Sequence, residues 1–104
     1  MSEIQINKTG KIPDNVPDDL IVKQVDEAIR YIAYMENKDA DIVFADVKGV
    51  DITMEKWDEG YMGIYAVIYF ESGEKCTLPL VYIFENQVKE ATMAHMFSDG
   101  ECEF

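Results

Sequence analysis

The sequence predicts an α+β domain: one N-terminal helix packed on a curved antiparallel sheet of about four to five strands. Two observations carry that expectation. A single stretch near the N-terminus repeats its apolar residues at helical spacing, and everything after it consists of short apolar runs broken by turn residues. A third observation says that the chain folds at all. It carries 21 Asp and Glu against 9 Lys and Arg, a net charge of −12, yet 48% of its residues are hydrophobic. An acidic chain poor in apolar residues would stay disordered, whereas this one can bury a core and leave its charge on a folded surface. At 104 residues it is read as one domain.

Residues 1–16 are polar, broken by Gly10 and Pro13, and read as a loose arm with a short strand at Ile4–Ile6. The helix follows at about residues 17–36. Asp14 or Asn15 caps it, Pro17 suits its first turn, and Asp18 and Asp19 face the positive end of its dipole. Ile21, Val25, Ala28, Ile29 and Ile32 form its apolar stripe. Glu36-Asn37-Lys38-Asp39 ends it.

Asp41–Val47 then reads as a strand, Gly49 as a turn, and Asp51–Trp57 as a half-buried strand by its alternation. Asp58-Glu59-Gly60 turns the chain into Tyr61–Phe70, rich in β-formers and apolar on both faces. Glu71–Glu74 makes a hairpin turn. Cys76–Phe84 pairs back, with Pro79 marking a bulge or an edge. Glu85-Asn86 turns again, Val88–Phe97 is the last strand, and residues 98–104 are an acidic tail. The aliphatic face of Ile64, Ile68 and Phe70 matches the helix stripe. The tyrosines 61, 65 and 69, joined by Tyr82, are therefore expected to face away from the helix.

The run AVIYFESGEKCTLPLVYIFENQVKEATMAHMFSD, Ala66 to Asp99, resembles the closing hairpins of the cystatin-like folds, including the nuclear transport factor 2-like group. The elements that carry the resemblance are Val67–Phe70, Leu80–Phe84, the turn at Asn86, and a final strand ending in Phe97 and Asp99. The resemblance implies a sheet wrapped on the long helix Asp18–Glu36. The extra helices that build a ligand cone in that group have no counterpart between Glu36 and Ile42, so no catalytic residue is carried over.

Function is bounded mostly by charge. A strongly anionic surface repels nucleic acid and anionic membranes and attracts basic proteins. Asp39, Asp41, Asp46, Asp51, Glu55, Asp58 and Glu59 thicken the charge in one segment. They read either as a partner-binding face that imitates phosphates or as a solvated surface. Tyr65 and Tyr82 read either as an outward binding row or as core. His95, the only histidine, is either a polar group facing a ligand together with Tyr65 or a structural strand residue. No glycine-rich phosphate loop, calcium loop or basic patch is present in the sequence, so neither a metal nor a cofactor is expected. Cys76 and Cys102 are read as reduced thiols of a cytoplasmic protein, and the opening residues hold no apolar leader.

Two classes of function remain. One is a small acidic interaction protein without catalysis, an inhibitor that blocks a basic, nucleic-acid-binding surface as anti-defence and immunity proteins do. The other is a nuclear transport factor 2-like domain that binds a small ligand, as an enzyme or not. A homodimer through the outer sheet face is compatible with either.

Overall fold

A computed structural model describes residues 6–8 and 12–103. The elements run β1 (Ile6–Lys8), α1 (Asp18–Glu36), α2 (Ala40–Asp46), β2 (Val47–Asp58), β3 (Tyr61–Phe70), β4 (Lys75–Phe84), β5 (Gln87–Glu90), α3 (Met93–Asp99) and β6 (Glu101–Glu103). The α+β class stands, but with three helices and six strands among the described residues rather than one helix and four to five strands. The sheet is ordered β1-β2-β3-β4-β5, with β6 also on β4. β1 runs parallel to β2, and every other pairing is antiparallel. Of the strand expected at Ile4–Ile6, Ile4 lies outside the described residues, and pairing begins at Ile6.

α1 forms where its apolar period places it. Its buried stripe is Ile21, Val25, Ala28, Ile29 and Ile32, joined by Gln24, Tyr31 and Ala33. Pro17 itself is the N-cap, without a side-chain cap bond. Of the two expected caps, Asn15 instead donates its side-chain amide to the Asn86 carbonyl at 3.3 Å. At the other end Asn37 adopts a left-handed φ of 55°, a conformation Asn tolerates, and the Lys38 N–H returns to the Ala33 carbonyl.

α1 covers the sheet face that carries Ile52, Ile64, Ala66, Ile68 and Phe70, as expected. These residues, with Val50, Leu78 and Val81, form the dry core. The buried polar side chain in it, Gln24, donates to the carbonyls of Leu80 at 2.8 Å and Ala91 at 3.0 Å. Leu80 sits at a break in β4, and Ala91, just past β5, donates its N–H to the Leu80 carbonyl. Pairing jumps from Ile64–Val81 to Tyr65–Pro79, so Leu80 is an extra, bulged residue and Pro79 marks a bulge rather than an edge. The outer edge of β4 is paired to β5 at Val81–Phe84 and to β6 at Lys75–Thr77. α3 fills the interval between them and drives Met96 into the core.

Five expectations are corrected. Asp41–Val47 is helical up to Asp46: Asp39 caps the Asp41 N–H at 3.0 Å, the helix runs Ala40–Asp46, and Val43 is the residue it buries. α2 docks on α1 through Val43 and through Arg30 over the Phe44 ring. Gly49 is no turn but a β2 residue beside an irregularity in the pairing with β3. Val88–Phe97 is not one strand: β5 stops at Glu90, Thr92 caps a helix, and Met93 to Asp99 wind into α3. The Phe97 and Asp99 of the resemblance therefore sit on a helix. The acidic tail is also ordered through Glu103, as β6. Cys102 there lies directly opposite Cys76 and forms a disulfide with it, so the two are not reduced thiols. The cytoplasmic expectation loses the thiol argument it rested on. No described helix is long and apolar enough to cross a membrane.

Candidate functional site on the helix-free sheet face

Alternation along β2, β3 and β4 sends one set of side chains to α1 and the other set away from it. The second set contains Asp51, Thr53 and Glu55 of β2, Tyr61, Gly63, Tyr65, Val67 and Tyr69 of β3, and Tyr82 and Phe84 of β4. Trp57 joins them by a local device. Lys56 pairs with Met62 and Asp58 with Tyr61, so Trp57 is the unpaired residue of a bulge. Its indole lies over Gly63. A Cβ on Gly63 would come within 2.7 Å of the Tyr65 ring and 2.8 Å of the indole, so only glycine fits beneath them.

The result is a continuous aromatic cluster. Trp57 meets Tyr65 edge-on at 6.3 Å and Tyr82 at 5.7 Å. Tyr82 stacks on Phe84 at 6.1 Å, and Phe84 meets Tyr61 at 5.9 Å. These separations are those of favourable ring pairs. α3 closes one side. His95 meets the Tyr82 ring at 5.0 Å, and the Tyr82 hydroxyl donates to Asp99 Oδ2 at 2.5 Å. The tyrosine row thus faces away from α1 as expected, but it is only partly open. Tyr65 and Tyr82 are 9% and 4% exposed, whereas Tyr61, Tyr69 and Phe84 stand at 37% and Trp57 at 44%. α3, which the sequence reading missed, is what buries Tyr82.

Carboxylates surround the rings. Burial pushes the Tyr65 phenol up, and the negative charges of Glu55 and Asp99 add to that. The Tyr82 phenol is pushed up further, first by burial and then by its hydrogen bond to Asp99. Tyr69 is raised by desolvation and by Asp51, which also accepts from the Asn7 amide at 3.3 Å. Glu85 accepts from the Tyr61 hydroxyl at 3.2 Å. Asp58 and Glu59 form the adjoining turn, where Asp58 caps the Glu59 N–H at 2.8 Å. Asp51 and Glu55 of the acidic segment therefore belong to this face, with Asp58 and Glu59 at its end. Asp39, Asp41 and Asp46 do not; they sit on α2, before the start of β2. The segment is split by β2, whose 12 residues reach about 40 Å at strand rise.

His95 has a structural assignment. Its Nδ1 accepts the Thr92 N–H at 3.0 Å while Thr92 Oγ1 accepts the His95 N–H, a reciprocal cap on α3. It shares the Tyr82 neighbourhood with Tyr65, but the two line neither of two hollows at the rim of the fold. One hollow, of about 270 Å³, lies among Ile32, Ile42, Val43 and Phe70, and the other, of about 350 Å³, among Asn7, Gly49, Asp51 and Tyr69. Trp57, Glu55 and Asp99 were the residues whose joint role the sequence did not reveal. The one readable signal was a glycine, Gly63, inside an otherwise apolar strand two residues before Tyr65.

No family of proteins, no curated protein and no solved structure matches this chain in comparisons of sequence and of fold.

Proposed function

We propose that the protein is a small acidic interaction module that binds a basic protein surface through the helix-free face of its sheet, and so blocks a surface its partner uses to hold nucleic acid. One observation carries this reading: a partly exposed aromatic cluster is rimmed by carboxylates from four separate places, β2, the β2–β3 turn, the β4–β5 turn and α3. Aromatic side chains are the anchors of protein interfaces, and the rim supplies the charge that selects a basic partner. The net charge of −12 supports a basic partner over a second copy of the chain, because a dimer through this face would set carboxylate against carboxylate. The filled core between α1 and the sheet supports an interaction module over a domain that holds a small ligand inside.

The test is a footprint. Basic nucleic-acid-binding proteins captured from a lysate at low salt are returned to the purified chain, and amide exchange is measured with and without them. Protection in β2, β3 and β4 around Glu55–Trp57, Gly63–Tyr65 and Tyr82–Phe84, lost at high salt and accompanied by release of nucleic acid from the partner, is the expected result. Protection confined to α1 and α2, or binding that leaves the partner's nucleic acid in place, rejects the reading.

A further inference from the structure

One group in the aromatic cluster has its polar atom left over. Tyr65 is 9% exposed, yet its hydroxyl makes no hydrogen bond with any described residue, while Tyr82 beside it is satisfied by Asp99. Buried tyrosine hydroxyls ordinarily find a partner. No fully enclosed polar atom is left unsatisfied among the described residues, so this hydroxyl reaches the surface at the end of a buried ring. Burial raises the Tyr65 phenol first, and the negative charges of Glu55 on β2 and Asp99 on α3 add to it. Next to it the Trp57 indole stands edge-on to the Tyr65 ring and is 44% exposed. Glu55 is paired with Gly63, the residue beneath the Trp57 indole, so the Tyr65 hydroxyl, the Glu55 carboxylate and a half-open indole share one patch of this face. Lys89, paired with Tyr82 from β5, and Lys75, paired with Tyr69, are cations on this face.

We infer that this spot takes the guanidinium of an arginine side chain of the partner, stacked on Trp57 and donating to Glu55 and to the Tyr65 hydroxyl. This rests on the reading that the face binds a basic protein, and it names the side chain that anchors there. The chemistry selects arginine over lysine. A guanidinium is planar, stacks on an aromatic face, and carries five donors in a fixed fork that can reach a carboxylate and a hydroxyl together. An ammonium is a strongly hydrated point charge that gains less from the indole.

Hexa-arginine and hexalysine carry equal charge and no tryptophan, so the emission of Trp57, the only tryptophan of the chain, reports on the site directly. Calorimetry gives affinities for variants as well. The parent should bind hexa-arginine about threefold or more tighter than hexalysine. Trp57→Leu should bring the two peptides to the same affinity. Tyr65→Phe, which removes a hydroxyl that holds nothing in the fold, should weaken hexa-arginine by about threefold and leave hexalysine unchanged. Glu55→Gln should weaken both peptides, hexa-arginine the more. Asp41→Asn on α2 should change neither preference. Circular dichroism confirms that each variant is folded. Equal affinities in the parent, or a preference that survives both Trp57→Leu and Tyr65→Phe, overturns the arginine assignment while leaving a basic partner in place. Failure of both peptides to bind at low salt overturns the basic-partner reading itself.

Discussion

The two faces of the sheet are built from the same three strands and share almost nothing else. The face under α1 is aliphatic, with Ile52, Ile64, Ala66 and Ile68 at zero exposure, and the one buried polar side chain among the described residues, Gln24, is bonded to two carbonyls. The opposite face is aromatic, half open, and edged with carboxylates; burial, and after it these carboxylates, raise the Tyr65 and Tyr82 phenols. Nothing about strand formation demands this difference, since aliphatic residues would fill both faces equally well. It separates two tasks: one face holds the domain together, and the other carries the proposed recognition.

The largest expected effect lies on the first face. Ile68→Ala removes a fully buried side chain between α1 and β3 and should cost about 2–5 kcal/mol in denaturant unfolding. Trp57→Leu on the second face should cost clearly less, because the indole is 44% exposed. Equal losses for the two variants would erase the division of tasks.

Gly63→Ala is the next in size. The methyl would collide with the Trp57 and Tyr65 rings, neither of which can move without disturbing the cluster. The expected cost is about 1–3 kcal/mol, as for overpacking, with a change in tryptophan emission even in the folded state. Unchanged emission and an unchanged midpoint would show that the indole does not rest on Gly63.

Tyr82→Phe should be smaller, about 1 kcal/mol for one hydrogen bond, and its signature is in pH. The folded chain holds the Tyr82 phenol above its ordinary value near 10, by burial and by Asp99, so the unfolded chain ionises first. That contribution to stability is complete below about pH 10 and is lost as pH rises from there toward the folded-state value. Urea midpoints at about pH 8 and about pH 10.5 should fall more for the parent than for Tyr82→Phe. Tyr31, Tyr65 and Tyr69 are raised as well, so the fall should shrink in the variant rather than vanish. An identical fall in both proteins would mean that Asp99 does not hold that phenol.

What could be read from the sequence follows the length and purity of each pattern. α1 repeats at 3.6 over five turns, and β3 and β4 are long runs closed by Glu71–Glu74 and Glu85-Asn86, so the main framework was legible. α2 and α3 are seven residues each, too short for period to decide. Ile42-Val43-Phe44 has strong β-propensity, and the spacing of Met93, His95 and Phe97 imitates a strand. Their helical signals were local ones, Asp39 and Thr92 as N-caps. Missing α3 had consequences, since it brings Asp99 to Tyr82 and returns Cys102 to Cys76. A spacing of 26 residues between two cysteines does not announce a bridge. The candidate site was half legible for the same reason. Alternation placed Tyr65 and Tyr82 on the helix-free face, but the bulge that turns Trp57 over Gly63 depends on pairing that only the folded sheet provides.

The smallest effect on stability tests the second face most directly. The acids between Asp39 and Glu59 fall into two groups that β2 holds apart: Asp39, Asp41 and Asp46 around α2, and Asp51, Glu55, Asp58 and Glu59 along the aromatic face and its turn. Exposed charges act over roughly a Debye length, about 8 Å at physiological salt, so the groups are electrically distinct for a docked partner. Asp51 and Asp58 reversed to Lys should slow association with a basic partner, flatten its dependence on salt, and abolish displacement of nucleic acid. Asp41 and Asp46 reversed to Lys change the net charge by the same amount and should leave docking nearly untouched, with only a modest loss of long-range steering. Each surface substitution should shift stability by under about 0.5 kcal/mol, so unfolding midpoints serve as the control. If the α2 pair weakens binding as much as the face pair, the protein acts through its total charge alone, and the aromatic face does not direct the encounter. If only the α2 pair matters, the partner docks on the helices, and the tyrosine row is a second hydrophobic core that α3 leaves partly uncovered.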